Sequence, residues 1–139
     1  MTHIERIAAP EAADEAAIMA VLADANAAAG WPHVREAVLL TIRDAEGGVA
    51  GGLIGRISWQ WLYVMTLAVA PALRGQGWGQ SLLQQAEAAA RGQGCIGARL
   101  DTYSFQARGF YEKQGYRVTG TLEDCPPGHA RYSMAKRFH

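Results

Sequence analysis

The amino-acid sequence predicts an α/β (α+β) fold: a mixed, mostly antiparallel central sheet with one parallel strand pair, flanked by helices. Three observations carry that expectation. Two apolar runs, 37–43 and 49–59, are separated by Asp44-Ala45-Glu46-Gly47-Gly48, a glycine-bearing turn that reads as a hairpin. The run 61–69, a helical segment and the run 96–103 follow one another, so these two strands are parallel across a right-handed crossover. A last strand pair, 116–122 and 130–137, flanks a loop containing Pro126-Pro127-Gly128.

Along the chain, residues 3–8 alternate weakly and are expected to form a first strand. Over 12–29, Ile18, Leu22, Ala25 and Ala29 recur at helical spacing, with Asp14 and Glu15 at the electropositive start and Gly30 at the stop. Trp31-Pro32-His33 reads as a loop. The 61–69 strand is rich in β-branched and aromatic residues and ends before Pro71. Leu82, Leu83, Ala86, Ala89 and Ala90 share one face of the next helix, which Gly92 or Gly94 terminates. A short helix is expected over 105–114, stopped by Gly115.

At 139 residues the chain is expected to be a single domain, 1–139. Lys plus Arg and Asp plus Glu number 13 each, a balance without the broad basic footprint that nucleic acid or an anionic membrane would require. The apolar-looking stretch 8–29 carries Glu11, Asp14, Glu15 and Asp24, unlike a signal peptide or a membrane span. Cys95 and Cys125 are far apart and the four histidines are scattered, which points to a reduced, cytoplasmic protein without a metal.

The most informative segment is Arg74-Gly75-Gln76-Gly77-Trp78-Gly79-Gln80-Ser81, where a strand stops, three glycines alternate and a helix begins. Glycine lets the main chain approach a ligand, and the first N–H groups of a helix lack internal partners, so the segment suits a pyrophosphate. A dinucleotide turn would need G-x-G-x-x-G, with an acid such as Asp101 some 20 positions on. From Gly75 the third glycine falls on Gln80, and from Gly77 on Leu82, so the spacing fails. No Gly-Lys-Ser/Thr follows either, which sets aside the P-loop.

The segment resembles the acyl-CoA loop of GNAT acetyltransferases, R/Q-x-x-G-x-G/A, with Arg74, Gly77 and Gly79 at the defined positions. Downstream, Ala107-Arg108-Gly109-Phe110-Tyr111-Glu112-Lys113-Gln114-Gly115-Tyr116 is similar to that family's A-x-x-F-Y-x-x-x-G-F/Y. The resemblance implies a GNAT-like domain and an N-acetyltransferase that uses acetyl-CoA and an amine acceptor. It further implies that Leu67, Ala68 and Val69 pair with the pantetheine arm. Arg74, Gly75, Gln76, Gly77, Trp78, Gly79, Gln80 and Ser81 would hold the pyrophosphate. Ala107 would make room for the arm, and Tyr111 would protonate the departing thiolate. Ser104 stands where relatives often carry Asn. A homodimer also falls within what the resemblance implies.

Many relatives carry a carboxylate on the strand before the loop; here Trp61-Leu62-Tyr63-Val64-Met65-Thr66-Leu67-Ala68-Val69 has none. The base that deprotonates the acceptor stays open among Asp101, Glu123, Asp124, His129, a water chain and an acceptor that arrives neutral. Trp59, Trp61, Tyr63 and Tyr103 either wall an apolar or cationic acceptor pocket or pack beneath the N-terminal helix. The missing carboxylate favours an alternative of another class, a CoA-binding sensor or interaction module without turnover, whereas Tyr111 favours the enzyme.

Overall fold

The computed structural model describes every residue from Met1 to His139. The chain falls into two compact units, Met1–Val34 and Arg35–His139.

The first unit contains α1, Ala12–Ala28. Its start is fixed by Asp14, whose carboxylate accepts the Glu11 N–H at 2.8 Å. Its end passes into Gly30, with φ of +87°, a left-handed position that glycine occupies without strain. The strand expected over 3–8 does not form; the first eleven residues adopt neither helix nor strand. Ile4 and Ile7 are three apart and would fall on opposite faces of an extended chain, so they make no apolar face.

The second unit contains β1 (Glu36–Arg43), β2 (Val49–Ser58), β3 (Trp61–Val69), α2 (Trp78–Gly92), β4 (Gly97–Tyr103), α3 (Arg108–Lys113), β5 (Arg117–Glu123) and β6 (Ala130–Arg137). They build a six-stranded sheet in the order β1-β2-β3-β4-β6-β5. Only β3 and β4 run parallel, with α2 as their crossover; every other pairing is antiparallel.

The β1–β2 turn is organised by Asp44, whose Oδ1 accepts the N–H groups of Glu46 at 2.9 Å and Gly48 at 2.8 Å. β2 stops at Ser58, one residue short of the expected run, because Trp59 and Gln60 make a two-residue turn with φ of 48° and 65°. This primed geometry matches the twist of the flanking strands although neither residue is glycine.

The core lies between the sheet and α2. Leu53, Leu62 and Leu83 are fully buried, each side chain contributing about 1.5–3 kcal/mol on transfer from water. The buried face of α2 is Leu82, Leu83, Ala86, Glu87 and Ala90. Ala89, expected inside, is exposed, because the face centres on Leu83, Ala86 and Ala90 and position 89 falls beyond its edge. Glu87 takes the opposite edge, where Oε1 accepts Lys136 Nζ at 2.7 Å and Oε2 accepts the Tyr116 hydroxyl at 2.9 Å. That pairing is what allows a carboxylate to be buried there.

Candidate active site

The site begins where β3 and β4 part. They pair over only four positions, from Trp61 with Gly97 to Val64 with Leu100, although β3 continues to Val69 and β4 to Tyr103. Met65 is an extra residue in β3: Ile54 pairs with Thr66 and Gly55 with Val64. Such a bulge bends its strand, and here it turns β3 away from β4. On the other lip, Tyr103 N–H donates to Gln106 Oε1 at 3.2 Å rather than to a strand, and Ser104 N–H donates to Ala130 O at 2.8 Å. A wedge-shaped gap opens in the middle of the sheet.

Which main-chain groups line the gap follows from strand alternation. Ala70 N–H donates to Ala50 O at 2.8 Å, and Ala68 O lies against Gly51, so residues 68 and 70 turn their polar groups toward β2. Leu67 and Val69 therefore present their N–H and C=O groups to the gap. Arg74 Nε already donates to the Val69 carbonyl at 3.1 Å. Of the three strand residues singled out in the sequence, Leu67 and Val69 offer backbone to a ligand, and Ala68 does not.

Beside the gap stands the start of α2. Gly75 and Gly77 adopt φ of +76° and +86°, and a Cβ on either would meet nothing within 4 Å, so the loop is open on its outer side. The first intrahelical bond is Ser81 N–H to Gly77 O at 3.0 Å. The N–H groups of Trp78, Gly79 and Gln80 have no helical acceptor, no side chain caps them, and no acid lies in the first turn. With the positive end of the helix dipole, these groups favour negative charge nearby. Gly79 plays a packing role instead, since its missing Cβ would touch Phe110 at 3.5 Å and Leu67 at 3.7 Å.

That contact joins the loop to α3. Tyr111 N–H donates to Ala107 O at 3.2 Å, which stacks the two residues on one turn. The Tyr111 ring sits between Phe110, 5.1 Å away, and Tyr116, 5.9 Å away. Only 7% of the residue is exposed. Burial pushes its pKa up, so the hydroxyl keeps its proton throughout the neutral range.

Asp101 stands one residue beyond the last β4 position paired with β3, and both its oxygens accept hydrogen bonds. Its Oδ2 accepts the Tyr63 hydroxyl at 3.0 Å and Arg131 at 2.8 Å; its Oδ1 accepts the Ser133 hydroxyl at 3.0 Å. Burial first, then the bond to Asp101 and its charge, raise the Tyr63 pKa. His129 is likewise held, with Nδ1 3.0 Å from the Ser104 hydroxyl and its ring edge-on to Phe105. Ser104 also accepts the Ala130 N–H at 3.1 Å, so it braces a loop. Glu123 ends β5 and Asp124 sits in the following turn with φ of 56°.

The aromatic cluster is divided by the turn. Trp61 and Tyr63 share the sheet face away from α2, Trp59 belongs to the turn, and Tyr103 stacks on Phe105. The sheet's own arginines already use the ring faces: Arg56 and Arg99 lie over Tyr63, and Arg137 over Trp61. The sequence reading missed Arg131, Ser133, Gln106 and Glu87. Asp101 and Ser133 are register partners 32 residues apart, and only the β4–β6 pairing brings them together.

A mixed six-stranded sheet with one central parallel pair, crossed over by a helix, is the fold of the GNAT acetyltransferases. The sequence matches the model of the acetyltransferase (GNAT) family over residues 4–116, well over half the chain, and the chain belongs to that family. It is similar to blasticidin-S acetyltransferase of Streptomyces morookaense, with 46% identity over 94 residues, 67% of this chain and 69% of that one. An acetyltransferase from Bacillus cereus superposes with a TM-score of 0.85 at 32% identity, over 98% of this chain and 97% of that chain. A Bacillus anthracis acetyltransferase structure in complex with acetyl coenzyme A shares the fold, at TM-score 0.61 and 22% identity over 67% of this chain and 58% of that chain. The protein is an acyltransferase of the N-acetyltransferase kind.

Proposed function

We propose that the protein moves an acetyl group from acetyl-CoA to a primary amine, with the pantetheine arm threaded through the gap between β3 and β4. The observation that carries this reading is the juxtaposition of that gap with the uncapped start of α2. The N–H groups of Trp78, Gly79 and Gln80 hold the pyrophosphate, with Gly75, Gln76, Gly77 and Ser81 shaping the turn. Arg74 braces the loop against Val69 and adds positive charge. Leu67 and Val69 hydrogen-bond the arm, and an N–H on this stretch polarises the thioester carbonyl as it gains charge. Ala107 leaves room for the arm. The amine attacks the carbonyl carbon and, once bonded, releases an N–H proton to water; the carbon–sulfur bond breaks, Tyr111 gives its proton to the thiolate, and the tyrosine is reprotonated from solvent.

No carboxylate on β3 takes the proton from the amine, and both oxygens of Asp101 are occupied. In this reading the amine reacts from its neutral fraction, which grows as pH rises. Blasticidin S, named for the Streptomyces relative, is the first acceptor to assay. The test is calorimetric titration with acetyl-CoA, CoA and NAD in parallel, then thiol release across a panel of amines that includes blasticidin S. Preference for NAD, or no binding of either CoA species, refutes the reading.

A further inference from the structure

The sheet face away from α2 holds a cavity of about 330 Å³ between the β2–β3 turn and the bulge of β5. Trp59 and Trp61 form one end and Asp101 the other, with Arg99 and Ser133 along the side. Asp101 lies just past the point where β3 and β4 part, so the cavity leads away from the transfer point along the far side of the sheet.

Its polar groups are unbalanced. Asp101 has both oxygens taken by Tyr63, Arg131 and Ser133, so the one carboxylate offers little to a ligand. Donors remain. The Arg99 guanidinium rests on the Tyr63 ring, 4.1 Å from its centroid, and has no carboxylate partner. Arg56 and Arg137 add two further guanidinium groups on the same face, each over an aromatic ring. A cation entering here would meet arginines already on the rings. An occupant that brings oxygen acceptors meets guanidinium donors, and the exposed Trp59 indole suits a flat ring.

We propose that this cavity receives the non-reacting end of the acceptor, and that this end is a planar group bearing a carboxylate. The assignment to the acceptor rests on the acetyl-transfer reading above; the ligand chemistry rests on the cavity alone.

The test is an indole N–H titration of the full-length, ¹⁵N-labelled protein, with Trp59 and Trp61 assigned by Phe substitution. 4-(Aminomethyl)benzoate and benzylamine, the same amine with and without the carboxylate, are added with and without acetyl-CoA. The expected result is saturable movement of both signals by the benzoate, and binding of benzylamine weaker by about tenfold or more. Arg99→Gln, a change at an exposed position, should weaken the benzoate by a similar factor and leave benzylamine unaffected. Static Trp59 and Trp61 signals at roughly ten millimolar benzoate, tighter binding of benzylamine, or an unaltered Arg99→Gln protein would each overturn the proposal. Trp78, at the start of α2, reports acetyl-CoA separately. Failure of acetyl-CoA to move it would count against the transfer reading, whatever Trp59 and Trp61 show.

Discussion

Replacing Gly77 by Asp separates the two roles of the α2 start, because the substitution acts oppositely on folding and on binding. Gly77 has φ of +86°, where a side chain costs about 1–2 kcal/mol. Nothing lies within 4 Å of the added Cβ, so no clash adds to that. A carboxylate at the positive end of a 15-residue helix returns about 0.3–1 kcal/mol. The net loss of stability is about 1 kcal/mol, or a few degrees in Tm. For binding, two like charges about 4 Å apart repel by about 1 kcal/mol in water and about 4 kcal/mol near a protein surface. Taking about 3 kcal/mol against a pyrophosphate, acetyl-CoA affinity should fall by about two orders of magnitude. Gly77→Ala carries the backbone strain without the charge and should lose less than about tenfold. Calorimetry gives the affinities, and thermal melting without ligand shows that the fold survives. Unchanged affinity in the Asp variant would remove this loop from the site.

Tyr111→Phe should lower turnover by about a hundredfold with little change in acetyl-CoA affinity, read by thiol release beside calorimetry; an equal rate would show that the hydroxyl is not the acid. Glu87→Ala leaves the buried Tyr116 hydroxyl without its acceptor and the half-buried Lys136 ammonium without its partner. It should cost about 2–4 kcal/mol by urea unfolding, and Glu87→Gln less. Burial raises the pKa values of Tyr111 and Tyr116, whereas unfolded tyrosine ionises near about 10. Above that pH the unfolded chain binds fewer protons than the native one. Stability is therefore fully present below about pH 10 and falls as pH climbs toward the native values, by up to about 1.4 kcal/mol per unit for each group. Urea midpoints from neutral to alkaline pH measure this, and Tyr111→Phe should flatten the decline. Gly97→Ala sets a Cβ against Lys136 O and 2.8 Å from the Trp61 ring. It should destabilise the chain by about 1–3 kcal/mol and broaden the Trp61 indole signal.

The sheet was legible in the sequence wherever period and punctuation agreed. The Trp61–Val69 strand, the crossover helix and the closing hairpin follow from apolar runs bounded by glycine and proline. The loop of Arg74 to Ser81 and the Ala107–Tyr111 pair were legible because closely spaced residues carry their geometry in their spacing. What escaped depends on long-range register. Nothing near Asp101 in sequence announces Arg131 or Ser133, and nothing around Glu87 announces Lys136, 49 residues away. The turn at Trp59-Gln60 was hidden for another reason: its left-handed residues are not the usual Asn and Gly.

Met65 has a consequence beyond bending its strand. Side chains of an extended chain alternate, and one surplus residue reverses the alternation from there on. Trp61 and Tyr63 thus point to the arginine-studded side, whereas Leu67 and Val69, also odd-numbered, point toward α2. A single strand furnishes one compartment with its first half and another with its second. Excising that methionine would keep nearly the whole composition, yet exchange which side chains serve each compartment, so the length of this strand constrains the protein as firmly as its chemistry.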